Sequence, residues 1–293
     1  MELSTTGMTD LQKSIVAYYD NTWLDYRVLW INKKDRALHF GYYETFKETH
    51  SEALIKLNQQ MAQRAGISGS DNVLDAGCGQ GGSSLWLAAN IGCQVVGVTL
   101  VPHQQEVASR EAKVRKLESR AQFFVQDYLE TDFEDRRFTV IWACESLCHA
   151  PSKKKFYQEA FRMLAPGGRL IIAEYIRHDR NNTPEDEAIM QNWLNGWSMP
   201  DLDTWDEHVQ SMQDAGFEQI HAEDVTVHVQ PSLNGLYKMS KRLLGMGKIL
   251  NFLKIRNDIM HHNQVASMSQ YEALTKKLWY YCIYSASKPI YSS

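Results

Sequence analysis

Several features that would assign this sequence to a specialised class of protein are missing from it. Its 31 basic and 35 acidic residues give a net charge of −4, so no chain-wide positive field is available to bind a phosphate backbone. This charge argues against a dedicated nucleic-acid binder. No apolar run approaches the roughly 20 residues that a membrane-spanning helix needs, and the first residues lack the basic head and apolar stretch of a secretory signal. We therefore expect a soluble cytoplasmic protein.

Cysteine is scarce and shows no pairing pattern. The five cysteines are odd in number and include no CxxC pair, which argues against a disulfide framework and against a zinc ribbon. The adjacent histidines His261 and His262 have no acid-rich motif beside them, so no metal site is predicted. Apolar residues nevertheless make up 44% of the chain, an ordinary value for a protein with a globular core.

The central part of the chain alternates between strand and helix patterns. Short apolar or β-branched runs predict strands, and amphipathic segments between them predict helices. The predicted strands are 72–76, 94–100, 121–127, 138–144 and 169–175, and the predicted helices are 83–91, 104–117 and 156–164. This alternation indicates an α/β fold with a doubly wound, Rossmann-like, mostly parallel sheet and right-handed crossovers.

The regions before and after this core do not show the alternating strand and helix pattern. Before the core, an aromatic-rich segment predicts one or two short helices over 11–43, and a second amphipathic pattern predicts a helix over 47–65. After the core, we predict a helix over 205–215, a weaker strand over 219–228 and a basic, apolar helical insert over 233–257. A final strand over 278–287 is expected to complete the sheet in the antiparallel direction.

A glycine-rich loop follows the first predicted strand. Asp75-Ala-Gly77-Cys-Gly79-Gln-Gly81-Gly82 allows a tight turn and lets a ligand approach the backbone without meeting a Cβ atom. The helix that begins there offers unpaired N–H groups to a negatively charged partner. No Gly-Lys-Ser/Thr follows, which excludes a P-loop, whereas the spacing alone leaves a dinucleotide-binding loop open.

Residues 73–82 resemble motif I of the class I methyltransferases that depend on S-adenosylmethionine (SAM). Further landmarks of that family follow in order at 96–104, 126–127, 138–149 and 164–168. The Gly97-Val-Thr-Leu100…Gln104 pattern and the N-terminal segment Tyr19-Asp20…His39-Phe-Gly-Tyr-Tyr-Glu44 resemble the small-molecule branch of the family. That branch contains tocopherol, sterol, isoprenoid and sugar methyltransferases and cyclopropane synthases. Residues after 178, where acceptor choice normally lies, are poorly covered.

The resemblance divides the chain into four parts and implies SAM as the cofactor. The parts are an N-terminal helical lid at 1–67, a SAM-binding core at 68–178, a substrate-side helical region with one sheet strand at 179–270, and the last strand with its tail at 271–293. The implied cofactor contacts are Tyr19, His39, Asp75, Gly77, Gly79, Thr99, Leu100, Gln104, Asp127 and Cys144. The resemblance implies that the Asp75 loop surrounds the methionine end of SAM. It also implies that Thr99 and Gln104 contact the ribose and that Asp127 contacts the adenine.

Three side chains are expected near the transferred methyl group. Glu145 and His149 follow the fourth predicted strand and Glu174 belongs to the fifth, and ligands of doubly wound sheets lie outside the carboxyl ends of the strands. A neutral His149 is a natural general base for an acceptor hydroxyl. The resemblance to sugar O-methyltransferases pairs it with Glu174. Glu145 alternatively stabilises a cation that forms when a C=C bond takes the methyl group.

We therefore predict methyl transfer from SAM to a small, largely apolar acceptor, with O-methylation by His149 favoured. C-methylation of an isoprenoid or unsaturated lipid and a SAM-binding protein without catalysis stay open as alternatives. Cys148 stands where cyclopropane synthases carry Glu, which disfavours cyclopropanation, and Thr99 disfavours a nicotinamide dehydrogenase. The insert at 233–257 fits a solvated helix, a lid over a lipophilic acceptor, or a surface for peripheral contact with anionic lipid or a diphosphate.

Overall fold

A seven-stranded sheet organises the chain in the computed structural model, which describes residues 7–29, 36–245 and 258–291. The strands are β1 (Asn72–Ala76), β2 (Gln94–Thr99), β3 (Ala121–Val125), β4 (Phe138–Cys144), β5 (Leu164–Arg177), β6 (Glu218–Asp224) and β7 (Trp279–Ser287). Their order is β3-β2-β1-β4-β5-β7-β6. β1 to β5 pair in parallel, and β7 runs antiparallel to β5 and β6. The predicted mostly parallel sheet with an antiparallel last strand is confirmed.

Helices pack on both faces of this sheet. They are α1 (Asp10–Leu29), α2 (His50–Arg64), α3 (Gly82–Asn90), α4 (Pro102–Val114), α5 (Lys153–Met163), α6 (Pro184–Gly196), α7 (Trp205–Ala215), α8 (Thr226–Gly245) and α9 (Asp258–Thr275). In β4, Val140 and Trp142 belong to one apolar cluster, whereas Ile141 and Ala143 belong to a second. Because both faces of the strand are buried, its sequence is a nearly continuous apolar run.

Local signals explain where several elements begin. Thr49 caps α2 in a capping box with Glu52, which places the start of the helix three residues after the predicted one. The predicted strand over 219–228 is too long. Asp224 accepts hydrogen bonds from the backbone and hydroxyl of Thr226, and this turn starts α8, so His228 is helical.

Of the N-terminal aromatic segment predicted at 11–43, residues 11–29 belong to the single helix α1 and residues 36–43 are not helical. Residues 30–35 lie outside the described part. Of the basic insert predicted at 233–257, the described portion belongs to α8, which begins earlier, at Thr226, and the portion from 246 to 257 lies outside the described residues. Among the described helices, none is long and apolar enough to cross a membrane.

Candidate active site

The glycine loop forms one wall of a cavity at the carboxyl ends of β1, β2 and β4. Gly77 and Gly79 have φ angles of +88° and +53°, a region that other residues rarely adopt. A Cβ atom on Gly77 would lie 2.4 Å from the Cβ atom of Ser146. Glycine is therefore required at this position for both the backbone conformation and the close approach of the two loops.

Asp75 is a buried carboxylate on the same wall. Its Oδ2 atom accepts a hydrogen bond of 2.5 Å from the Ser84 hydroxyl, and burial raises the pKa of Asp75 to about 7. Burial has this effect because a charged carboxylate loses its hydration in the interior. A cationic group of a ligand beside Asp75 would restore the ionised form.

Three buried polar atoms beside this loop have no hydrogen-bond partner among the described residues: Arg36 Nε, His39 Nε2 and Gln80 Oε1. The Arg36 guanidinium is anchored by Glu111 at 2.6 Å and presents Nε as a donor. The backbone carbonyl of Phe40 accepts from His39 Nδ1 at 2.7 Å, which leaves Nε2 as an acceptor, and burial lowers the pKa of His39 to about 4. One cationic donor and two acceptors match the carboxylate and ammonium groups of an amino acid.

The end of β2 supplies a second set of polar groups. The Thr99 hydroxyl donates to Gln104 Oε1 at 2.8 Å, and both side chains are buried on the cavity wall together with Leu100. The donor of Thr99 is therefore used internally. Gln104 Nε2 has no hydrogen-bond partner in the described part of the chain, so the amide of Gln104 is the donor that this pair offers to a ligand.

Asp127 is held away from the cavity wall. Its Oδ2 atom accepts from Gln12 Nε2 at 2.8 Å, and its Oδ1 atom accepts from the Leu129 backbone N–H at 2.8 Å. The side chain thus ties α1 to the loop after β3. Its predicted contact with adenine is not visible in this geometry and stays a prediction.

His149 lies on the cavity wall in a short turn after β4. Its Nδ1 atom is 3.3 Å from the carbonyl oxygen of Ser198, and its Nε2 atom is 2.9 Å from the hydroxyl of Tyr19. Because a carbonyl oxygen only accepts, Nδ1 carries the hydrogen and Nε2 receives the Tyr19 hydroxyl. Burial lowers the pKa of His149 to about 4, so the ring is neutral at physiological pH.

The predicted pairing of His149 with Glu174 is wrong. The two carboxylate oxygens of Glu174 accept the backbone N–H groups of Cys148 at 2.9 Å and Tyr175 at 2.8 Å, and the side chain is buried behind the wall. Both ring nitrogens of His149 have other partners. Burial raises the pKa of Glu174 to about 8, and its contact with Cys148 makes it a support for the turn that carries His149.

Glu145 lies on the wall among aromatic rings. It accepts hydrogen bonds from the Phe40 backbone N–H at 2.7 Å, from the Tyr281 hydroxyl at 2.8 Å and from the Tyr175 hydroxyl. Burial raises the pKa of Glu145 to about 7. Cys144, its neighbour on the wall, has a thiol pKa raised by burial and is therefore a neutral packing group. An acid among ring edges and faces is suited to a cationic group.

The described structure also adds wall residues that the sequence interpretation did not name. Arg36 and Gln80 belong to the glycine-loop side, and α8 and α9 form an opposite wall that includes Leu236, Ser240 and Asn263. The i, i+4 spacing of Leu236 and Ser240 is a helical signal for one shared face, but the sequence alone does not show which face meets the cavity.

Comparison with known proteins is consistent with this geometry. Residues 74–172 match a methyltransferase domain. The chain is 32% identical over 247 residues to the chloroplastic tocopherol O-methyltransferase of Arabidopsis thaliana, covering 78% of this chain and 69% of that protein. It is 29% identical to the sterol 24-C-methyltransferase of Schizosaccharomyces pombe over 79% of this chain and 61% of that protein.

Two solved structures show the same fold. The [4+2]-cyclase SpnF superposes with a TM-score of 0.79 at 22% identity, covering 96% of this chain and 97% of that one. Geranyl diphosphate C-methyltransferase from Streptomyces coelicolor, solved with Mg²⁺, geranyl-S-thiolodiphosphate and S-adenosylhomocysteine, gives a TM-score of 0.73 at 17% identity, with coverage of 96% and 98%.

Proposed function

Because the chain belongs to the family of SAM-dependent methyltransferases, we propose that it transfers the methyl group of SAM to a hydroxyl group of a small, largely apolar acceptor. SAM supplies a methyl group on a sulfonium centre, and the protein contributes mainly by holding the nucleophile in line and near contact distance. We propose oxygen as the methylated atom because a neutral His149 lies on the cavity wall, with its tautomer fixed by the Ser198 carbonyl.

The glycine-loop wall would hold the methionine end of SAM. Asp75, Gln80 and His39 offer acceptors for the ammonium group, and Arg36 Nε offers a donor to the carboxylate. The left-handed glycines keep the backbone close to the ligand. Gln104 would supply its free amide to the nucleoside part, as the family resemblance implies.

Proton removal is the task proposed for Tyr19 and His149. The acceptor hydroxyl gives its proton to the Tyr19 hydroxyl while Tyr19 gives its own proton to His149 Nε2, 2.9 Å away. Since the low pKa of the buried imidazole makes it a weak base, the arrangement suits an acidic hydroxyl such as a phenol or an enol.

Replacement of the base tests this proposal. We expect His149→Ala to keep its affinity for SAM in calorimetry and to lose roughly 10²–10⁴ in turnover with a phenolic acceptor. Tyr19→Phe should show part of that loss. His178→Gln, at an exposed position away from the cavity, is the matched control. Turnover by His149→Ala equal to that of the unmodified protein would remove His149 from the chemistry.

Transfer to carbon is the second candidate. It is supported by Glu145, which lies on the cavity wall and accepts hydrogen bonds from Tyr175 and Tyr281. The rings of Tyr175 and Trp197 line the same cavity, and such rings can stabilise a carbocation. Methyl-labelled SAM and NMR of the product distinguish methoxy from C-methyl signals. C-methyl product that disappears in Glu145→Gln and persists in His149→Ala favours carbon. SAM binding without any labelled product would favour a non-catalytic binding protein.

A further inference from the structure

The wall opposite the glycine loop carries polar groups that the proposed reaction does not use. From α8, the residues that face the cavity are Leu236, Met239, Ser240 and Leu243. From α9, they are Asn263, Gln264 and Ser267. The α8 residues follow the i, i+3, i+4, i+7 pattern of a single helix face, so one serine hydroxyl stands within an otherwise apolar stripe.

Two donors of this wall have no partner in the described part of the chain. The Tyr18 hydroxyl donates to Asn263 Oδ1 at 3.1 Å, which orients the amide and leaves Nδ2 as its free end. Ser240 is buried, with an exposed fraction of 3%, and its hydroxyl has no hydrogen-bond partner among the described residues. Ser267 differs, because its hydroxyl donates to the Asn263 carbonyl at 2.9 Å. A buried donor without a protein partner, such as the Ser240 hydroxyl, favours a ligand oxygen as its partner.

The charges of the described wall indicate which chemical group of the ligand supplies that oxygen. Its one cation is Arg36, which lies at the glycine loop and is paired with Glu111. Its carboxylates are Asp75 and Glu145. The described part of α8 and α9 that faces the cavity contributes only neutral groups. Neutral donors match a carbonyl or ether oxygen, whereas a phosphate is matched by Arg or Lys.

Two adjacent tyrosines connect Asn263 of this wall to His149. Tyr18 and Tyr19 are consecutive residues of α1, their ring centroids are 5.1 Å apart, and their hydroxyls contact Asn263 and His149, respectively. We propose that the acceptor carries an uncharged carbonyl or ether oxygen on the same apolar skeleton as its reacting hydroxyl, and that this oxygen binds Asn263 Nδ2 and Ser240 Oγ. The proposal rests on O-methylation as the function, and because the described cavity-facing residues of α8 and α9 are all neutral, it predicts that a prenyl diphosphate is not the acceptor.

A matched pair of phenols tests the proposal. 2-(4-Hydroxyphenyl)-1-phenylethanone has a ketone where 4-(2-phenylethyl)phenol has a methylene group, and in both compounds a CH2 group next to the phenol ring keeps the acidity of the reacting hydroxyl nearly equal. Geranyl diphosphate is the charged probe. With the full chain and methyl-labelled SAM, we expect kcat/KM for the ketone to exceed that for the methylene compound by about tenfold, as one or two hydrogen bonds would give. Geranyl diphosphate should neither react nor compete.

Variants show whether this preference comes from the proposed wall. Asn263→Leu and Ser240→Ala should reduce the ketone-to-methylene ratio towards one, and Asn234→Leu, on α8 but away from the cavity, should keep it. SAM affinity measured by calorimetry shows that each variant is folded. Equal kcat/KM values for the two phenols, or a ratio unchanged in both variants, overturns the inference while O-methylation stands. Bound SAM with neither phenol methylated contradicts O-methylation itself, and turnover of geranyl diphosphate overturns the exclusion of charged acceptors.

Discussion

Single residues of the glycine loop determine whether a ligand can approach the backbone. Two features of Gly77 disfavour any side chain at this position. Its φ angle is +88°, and an added Cβ atom would lie 2.4 Å from the Cβ atom of Ser146. Beside it, the Asp75 carboxyl has its pKa raised to about 7 by burial, so at neutral pH a cationic ligand shifts this carboxyl further towards its charged form. The loop is therefore selective for both shape and charge.

We expect Gly77→Ala to weaken binding of S-adenosylhomocysteine at least tenfold, which corresponds to about 1.4 kcal/mol. The added methyl group would displace the Ser146 loop, and the left-handed backbone adds about 1–2 kcal/mol of strain. Calorimetry with the ligand measures the first effect and urea unfolding the second. Gly235→Ala is the control, because nothing lies within 4 Å of its added Cβ atom and its affinity should not change.

At the scale of elements, α5 and the turn before it support the base from behind the cavity. Lys153 Nζ donates to the carbonyl oxygens of Ala150 at 2.9 Å and Asp201 at 2.6 Å, so one buried cation joins the turn carrying His149 to the loop after α6. The adjacent helix α7 is joined to α5 by Tyr157 and His208, whose hydroxyl oxygen and Nδ1 atom are 2.6 Å apart.

The α5–α7 contact predicts a loss of stability in acid. Burial lowers the pKa of His208 to about 3, below the value of about 6.5 for an exposed histidine. Between these pH values the unfolded chain binds a proton that the folded chain does not, so the free energy of unfolding falls as pH decreases through 6.5. The contribution of this group is about 1.4 kcal/mol per pH unit.

Urea unfolding at a series of pH values measures this effect. His208→Asn should reduce the slope of the free energy of unfolding against pH between pH 6 and pH 4. The reduction corresponds to the uptake of up to one proton on unfolding. Tyr157→Phe keeps the histidine and should lower stability while leaving the slope in place. An identical slope in His208→Asn and the unmodified protein would show that other groups control the acid response.

At the scale of the whole molecule, the cavity is closed by segments that are far apart in the sequence. α1 contributes Tyr19, the carboxyl ends of the parallel strands contribute Asp75 and His149, and α8 and α9 contribute Ser240 and Asn263. Ligand binding therefore joins the N-terminal helix, the sheet and the late helices, and its binding energy adds to the stability of the complete fold.

We expect S-adenosylhomocysteine at about one hundred times its Kd to stabilise the protein by about 2.7 kcal/mol. For a chain of this size the melting temperature should rise by about 4–5 °C. Differential scanning calorimetry measures the shift, and NAD⁺ at the same concentration is the control ligand. A shift with NAD⁺ and none with S-adenosylhomocysteine would contradict the assignment of the glycine loop.

Much of the core follows from local patterns in the sequence. The bounds of β1, β4 and α7 agree with prediction, since buried parallel strands are apolar runs bounded by turn residues and α7 is bounded by a capping box and Gly216. The start of α8 is not visible in the sequence pattern, because the turn at Asp224 depends on a side-chain hydrogen bond.

The sequence by itself determined the family, the cofactor and the glycine loop, because these depend on residues that are adjacent in the chain and on the periodicity of strands and helices. Tertiary structure decided the partners of individual side chains. Glu174 meets backbone N–H groups instead of His149, and His149 meets Tyr19, 130 residues away in the chain. A sequence places such residues at the same end of the sheet, but the direction of each side chain depends on the hydrogen-bond partners that packing brings near it.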